Sequence, residues 1–313
     1  MGPLVRERTR PQDPSIGETL VWATALLKSG GVDTPRVDAE CLLASLLSSP
    51  RLHLYAAIDE RLPAALCEAY QTLILRRQAR VPLAYLTGTK EFWSLSFKVT
   101  PAVLIPRPET EVLVETALAR LTSVAVPVIV DVGVGCGVIA VAMAKALPRA
   151  RIYATDISVE ALDVARENAS AHGVVGQIVF FQGDMLEPVS ARALVGRCDL
   201  IISNPPYVAT GDLGALPPEV HYEPVEALDG GPDGLRYHRR LIRAAPALLR
   251  PGGYLALEIA PGQGSVLAKS FRDQGDFTDV TIMPDLSGRQ RLIMAGCIGP
   301  RFRQQDHPGT DGA

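Results

Sequence analysis

Pro127-Val128-Ile129-Val130-Asp131-Val132-Gly133-Val134-Gly135-Cys136-Gly137-Val138-Ile139-Ala140 passes from one apolar run through a cluster of glycines into a second apolar run. A buried strand, a tight turn and a helix account for that order. Glycines let the backbone turn sharply and come close to a ligand. The helix that opens there adds unpaired N–H groups facing the same space. Tyr153-Ala154-Thr155-Asp156 closes the next apolar run with a carboxylate, about twenty residues on, the placement used to bind the two hydroxyls of a ribose. Gly133, Val134, Gly135, Cys136, Gly137 and Asp156 are therefore candidate cofactor residues. The spacing Gly135-x-Gly137-x-x-Ala140 also satisfies the dinucleotide fingerprint, so the loop alone leaves a nicotinamide enzyme open.

The same stretch has a rival reading. Val124 to Leu147 is almost wholly apolar, and Gly133-xxx-Gly137 matches a membrane helix-dimer pattern. Asp131, Lys145, Pro127 and the glycine cluster argue against a span, because a carboxylate in lipid is costly. No membrane association is expected.

Outward from the loop, strands and helices alternate. Pro127–Val132, Arg151–Thr155, Ile178–Phe181, Cys198–Ser203 and Gly253–Glu258 are short apolar runs. Helical patterns at Val138–Leu147, Ser158–His172 and Arg236–Leu249 separate them. This alternation predicts an α/β, Rossmann-like, doubly wound parallel sheet. Two final runs, Thr278–Met283 and Arg291–Ala295, are joined by a short polar turn and predict an antiparallel edge pair.

Before the sheet, apolar residues recur at helical spacing in Ile16–Leu27, Val37–Leu47 and Leu66–Leu75. Gly30-Gly31, Ser48-Ser49-Pro50 and Leu62-Pro63 punctuate them. Phe92–Val99 alternates and is rich in aromatics, as a connecting hairpin would be. Ile105-Pro106-Arg107-Pro108-Glu109-Thr110-Glu111 then leads into an amphipathic helix starting near Glu109 or Thr110. The expected organisation is a small N-terminal helical domain over 16–83, a hairpin linker over 84–104, a catalytic domain over 105–297 and a disordered tail over 298–313.

Composition narrows the class. The 313 residues are 47% hydrophobic with a net charge of −3, so there is a real core and no basic footprint for nucleic acid. The five cysteines are scattered without a Cys-x-x-Cys pair, which speaks against a metal site or disulfide framework and for a cytoplasmic protein with reduced thiols. Residues 1–15 are Arg- and Pro-rich without an apolar segment and read as no secretory signal.

The chemistry is most concentrated at Asn204-Pro205-Pro206-Tyr207, directly after the apolar run Leu200-Ile201-Ile202-Ser203. Two prolines there forbid strand pairing and hold the chain extended. The corner presents an amide side chain, a free proline carbonyl and an aromatic ring. Such a set can accept both hydrogens of a flat NH2 group while the ring stacks on its face. Gly183-Asp184-Met185 follows the third strand, where an adenine could meet the polar Asp184 and the apolar Met185. These residues favour S-adenosyl-L-methionine over a nicotinamide.

Taken with Pro82-Leu83-Ala84-Tyr85-Leu86-Thr87-Gly88, Glu91-Phe92-Trp93, Ile105–Glu111, Asp131–Gly137 and Asp285-Leu286-Ser287-Gly288-Arg289, the corner resembles the protein-(glutamine-N5) methyltransferases that modify peptide chain release factors. The resemblance runs from about residue 16 to 297 and implies a seven-stranded class I methyltransferase sheet, a helical substrate-binding domain and, as target, the glutamine of a Gly-Gly-Gln tripeptide. Asn-Pro-Pro-Tyr is shared with amino-methylating DNA and RNA enzymes; the Ile105–Glu111 segment and the helical domain narrow the match. Val134 and Cys136 depart from the family pattern, which has Thr and Ser or Thr there, and Pro261-Gly262-Gln263 looks altered.

On this reading Asn204 and Pro205 each accept one amide N–H, and Tyr207 packs against the substrate amide, with Pro206 completing the binding corner. Asn204 also lies next to the methyl donor. No carboxylate or histidine adjoins the corner in sequence, so no strong general base is assigned. Arg107 fits a surface ion pair with Glu109 or Glu111 as well as a loop over the cofactor; His221, His238, Trp93 and Glu258 read as structural. The alternative function is an N6-adenine DNA or RNA methyltransferase, against which the near-neutral charge argues.

Overall fold

Val128–Val132 and Cys198–Ser203, the two runs flanking the switch in strand order, lie side by side as central strands of a seven-stranded sheet. The computed structural model describes residues 13–190, 194–285 and 287–299. Most of the expected tail, the N-terminal twelve residues and Leu286 of the edge turn lie outside the described residues. The chain divides into two units.

The first unit comprises the chain up to Lys90, Lys98–Pro101 and Ala215–Pro224. Its helices are α1 Ile16–Ser29, α2 Pro35–Leu46, α3 Arg51–Ala56, α4 Ala64–Gln78 and α5 Leu83–Thr87. Ser15 and Glu18 form a reciprocal capping box at the start of α1 (3.2 and 2.9 Å). Leu20, Leu27, Leu42, Leu43, Tyr70 and Ile74 are fully buried, and the Tyr70 hydroxyl donates to the Ala39 carbonyl at 2.8 Å. The segment 215–224 enters this unit through Glu219, which accepts from Arg77 at 2.9 Å and Arg80 at 2.8 Å. Arg77 also donates to the buried Asp38 at 2.7 Å. The long excursion in sequence is thus anchored by charge-assisted bonds.

A two-stranded hairpin, β1 Thr89–Phe92 and β2 Leu95–Lys98, carries the chain onward. Trp93 and Ser94 form its turn, both with positive φ (54° and 57°), the geometry that matches strand twist. Trp93, expected to anchor a core, is half-buried in this turn.

The second unit contains α6 Thr110–Leu121, β3 Val128–Val132, α7 Val138–Ala146, β4 Arg151–Asp156, α8 Val159–Ala171, β5 Ile178–Gln182, α9 Glu187–Ser190, β6 Cys198–Ser203, α10 Arg236–Ala244, β7 Leu249–Glu258, α11 Gly264–Gln274, β8 Phe277–Pro284 and β9 Gln290–Cys297. The strand order is β5-β4-β3-β6-β7-β9-β8. β3 to β7 are parallel, and β9 runs antiparallel to both β7 and β8. All six residues of β6 are buried, which is why that strand reads as an unbroken apolar run rather than an alternating one.

The predicted helix Arg236–Leu249 ends early, at Ala244. Pro246 lacks an N–H and its ring crowds the preceding turn. The chain makes a short 3-10 turn at Ala245–Ala247 and enters β7 at Leu249, ahead of the expected Gly253. Ser158, placed at the head of a helix by its pattern, is the N-cap of α8 and accepts from Ala161 N at 3.1 Å. Among the described residues no helix is long and apolar enough to cross a membrane. The apolar stretch that could pass for a span is strand, loop and helix.

Candidate active site

The parallel strands β3, β4, β5 and β6 end on one edge of the second unit, and the last residue of β4 together with the loops after β3, β5 and β6 carries every predicted site residue. This is where open α/β sheets bind ligands. The glycine loop follows β3. Its backbone is tied to β4 by Gly133 N and Val134 N, which donate to the Thr155 carbonyl at 2.8 and 2.9 Å. Gly133, Gly135 and Gly137 all have positive φ (72°, 54° and 90°). A Cβ at Gly133 or Gly135 would meet no atom within 4 Å, whereas one at Gly137 would press on Ala165 at 3.2 Å. The first two glycines therefore front open space, and the third lets α7 pack on α8.

Asp156 closes β4 as predicted. Its carboxylate accepts from Gly135 N at 2.9 Å and Ser158 N at 3.0 Å. Burial raises its pKa against the pull of those N–H groups. Asp131 is fully buried beneath the loop; one oxygen accepts from Ala140 N at 3.0 Å and the other has no partner. Burial pushes its pKa up to about 7, and the nearby Asp156 charge adds to this. Val134 and Cys136 are both buried. Burial pushes the Cys136 thiol up to about 12, so it stays neutral. Their departure from the family pattern thus swaps buried side chains and leaves the loop's backbone bonds in place.

Gly183 N donates to the Asp156 carbonyl at 2.9 Å, which sets Asp184 and Met185 beside the Asp156 turn. Met185 has a left-handed φ of 52°. The Asp184 carboxylate accepts from Arg240 at 2.7 Å. Arg239 instead pairs with Asp233 at 2.6 Å.

Asn204 continues β6. The register Val132↔Ser203 puts it next to Gly133, and Ser203 Oγ donates to the Val132 carbonyl at 2.7 Å. Pro205 is buried; Pro206 and Tyr207 are half-buried. The corner is braced behind by Val208 N to Leu228 O (3.0 Å) and Gly230 N to Val208 O (2.7 Å). Gln263 Nε2 donates to the Tyr207 carbonyl at 3.0 Å and its Oε1 accepts from Ala260 N at 2.9 Å. The segment that looked altered in sequence thus supports the corner.

Two residues outside the predicted site, Thr110, read only as a helix start, and Glu258, read as structural, join Asn204 in one hydrogen-bonded chain. Asn204 Nδ2 donates to Thr110 Oγ1 at 3.2 Å, and Thr110 Oγ1 donates to Glu258 Oε2 at 2.6 Å. Tyr207 makes a long hydroxyl contact to Glu258 Oε1, 3.4 Å. Glu258 is fully buried at the end of β7. Burial pushes its pKa up to about 7, opposed by the Thr110 bond and the Arg291 charge. The signal that found Asp156, a carboxylate closing an apolar run, is also present in Leu255-Ala256-Leu257-Glu258.

His238 is wholly buried, with Nε2 2.8 Å from the Glu258 carbonyl; burial lowers its pKa to about 4, so it is a neutral prop for β7. Arg107 donates to the Ile105 carbonyl at 3.0 Å, and Glu111 accepts from Trp93 N at 2.8 Å. Glu109 faces Arg291 at 3.9 Å. Among the described residues no cluster of His, Cys, Asp or Glu is placed to hold a metal ion.

Residues 18–88 match the family profile of the PrmC N-terminal domain, and residues 108–215 match the methyltransferase small domain. The release factor glutamine methyltransferase of Moorella thermoacetica is 46% identical over 90% of this chain and 98% of its own length. That of Geobacter sulfurreducens is 42% identical, covering 93% and 99%. The solved catalytic domain of hMettl16, in complex with a MAT2A 3'UTR hairpin, superposes with a TM-score of 0.54 over 76% of this chain and 84% of that one. At 16% identity that likeness shows the fold alone. With relatives this similar over nearly their whole length, the chain belongs to the release factor glutamine methyltransferase family.

Proposed function

We propose that this chain methylates N5, the side-chain amide nitrogen, of the glutamine in the Gly-Gly-Gln motif of peptide chain release factors. S-adenosyl-L-methionine is the methyl donor, and the reaction takes place in the cytoplasm. The observation that carries this reading is the register between β3 and β6, which sets Asn204 beside the open face of the glycine loop.

The residues present fit the donor. Open space fronts Gly133 and Gly135, a carboxylate stands at Asp156, and Asp131 keeps an unpartnered oxygen beneath the loop. Gly133 to Gly137, Asp156, Asp184 and Met185 would hold it, with Asp156 on the ribose hydroxyls and Asp184 and Met185 at the adenine. When bound it supplies an electrophilic methyl group on a positively charged sulfur.

A carboxamide nitrogen shares its lone pair with the carbonyl and is a poor nucleophile. Positioning it in line with the methyl can contribute several kcal/mol, on the order of 7–11 in the best intramolecular cases. Asn204 Oδ1 and the Pro205 carbonyl each accept one amide N–H. They orient the nitrogen and offset positive charge that develops on it. Tyr207 packs on the flat amide, and the proton displaced from nitrogen passes to water. The helical unit selects the release factor.

Transfer of labelled methyl to purified release factor, DNA and RNA, run side by side, tests this reading. Label on the release factor alone supports it. Label on DNA or RNA instead establishes the adenine alternative.

A further inference from the structure

Resting on that assignment of Asn204, we propose that Thr110 and Glu258 are positioning residues that lock the Asn204 amide with its oxygen facing the substrate. An asparagine amide is nearly symmetric in shape, and a half-turn about its last bond exchanges a hydrogen-bond acceptor for a donor. Only the acceptor can receive a substrate N–H. The flipped amide presents its own hydrogens to those of the substrate and cannot hold it. Something must therefore decide which way round Asn204 sits.

The chain Glu258–Thr110–Asn204 decides it. An ionised carboxylate only accepts, and a threonine hydroxyl has a single hydrogen. At 2.6 Å, Thr110 Oγ1 commits that hydrogen to Glu258 Oε2. Toward Asn204 the hydroxyl then has only lone pairs to offer. Asn204 must present Nδ2, as it does at 3.2 Å, and Oδ1 is turned away from Thr110. The other carboxylate oxygen faces the Tyr207 hydroxyl at 3.4 Å, so one group restrains both polar side chains of the corner.

The fold builds this arrangement from rigid elements. Ser203 pairs with Leu257 across β6 and β7, which sets Asn204 level with Glu258. Thr110 is the first residue of α6. Both Thr110 and Glu258 are buried, and a buried carboxylate is costly unless its bonds are satisfied. For packing alone an apolar side chain would serve better. Arg291 of β9, itself held by Asp285 at 3.1 Å, favours the ionised form, while Glu109 at the head of α6 opposes it. His238 contributes no charge above about pH 4.

Protonated Glu258 can itself donate to Thr110 and free the threonine hydrogen, which removes the bias on Asn204. Turnover should therefore fall as pH drops through the region near 7, where burial has set this carboxyl.

The test compares Thr110→Ser, Thr110→Val, Glu258→Gln and Asn204→Ala with the parent enzyme on purified release factor. Thr110→Ser keeps the hydroxyl and should retain parental turnover. Thr110→Val should lose about 100-fold in kcat, the scale of lost orientation. Its KM for release factor and Kd for S-adenosyl-L-methionine should be unchanged. The acid limb of the parent's kcat profile should vanish in Glu258→Gln. Parental turnover in Thr110→Val would overturn the proposal. So would an acid limb that persists in Glu258→Gln, or a parent profile flat around pH 7, a readout that survives if Thr110→Val fails to fold. Asn204→Ala separates the two levels. If it is inactive while Thr110→Val is active, only the lock fails; if Asn204→Ala turns over normally, the underlying assignment fails.

Discussion

Alanine at Gly135 and alanine at Gly137 should separate cofactor binding from packing at the glycine loop. Gly135 has φ 54°, within the left-handed region that an L residue can occupy at a cost of about 1–2 kcal/mol. A Cβ there meets nothing within 4 Å. Gly135→Ala should thus leave the fold nearly intact, with a drop in Tm of about 2–8 °C at about 2–4 °C per kcal/mol for a domain of this size. Its methyl enters the space assigned to the cofactor. A misfit of about 1–3 kcal/mol corresponds to about 5- to 150-fold weaker binding. Gly137 has φ 90°, and its added Cβ would lie 3.2 Å from the Ala165 Cβ and 3.3 Å from its Cα. Backbone atoms of α8 cannot swing aside. Overpacking of about 1–3 kcal/mol adds to the conformational cost, for about 2–5 kcal/mol in all. Calorimetric titration with S-adenosyl-L-methionine and thermal melting of the free protein measure the two effects separately. A folded Gly135→Ala that binds like the parent would refute the placement of the cofactor. A Gly137→Ala as stable as the parent would refute the packing argument.

Asp156→Ala should weaken cofactor binding by about 10- to 100-fold, since about 1.5–3 kcal/mol attaches to each bond with a charged group, while turnover at saturating cofactor changes little; unchanged affinity in titration would contradict the ribose assignment. Gln263→Ala frees the Tyr207 carbonyl and Ala260 N from their brace and should lower kcat by about tenfold with cofactor affinity intact. Asp131→Asn tests the buried carboxyl. Its folded pKa lies above the usual value, so its contribution to stability is full below about pH 4 and is lost as pH rises toward 7. The Asn variant should melt higher than the parent at pH 8, with the difference shrinking toward pH 5; a pH-independent difference would contradict that account.

The glycine loop, Asp156 and the Asn204 corner could be read from sequence because each follows directly from a local rule. Glycine needs positive φ or close approach, and carboxylates and prolines mark strand ends. Glu258 meets the same rule as Asp156, but its partner Thr110 lies far away in sequence and shows itself there only as the head of α6. Gln263 was hidden for the same reason: its work is done on a carbonyl that only the loop geometry delivers. The helix expected through Leu249 ends at Ala244, two residues before Pro246, a local signal outweighed by the apolar periodicity around it. Segment 215–224 belongs to the helical unit through Glu219, and no periodicity or composition change at that point announces its ion pairs with Arg77 and Arg80.

In the proposed reaction the Asn204 corner holds a glutamine side-chain nitrogen for methylation by S-adenosyl-L-methionine. Mass spectrometry of a release factor incubated with the enzyme and S-adenosyl-L-methionine tests it most directly. The expected result is one added methyl, on the amide nitrogen of the Gly-Gly-Gln glutamine, and none with the Asn204→Ala enzyme. A methyl on any other residue, or an unmodified release factor in the presence of active enzyme, would contradict it.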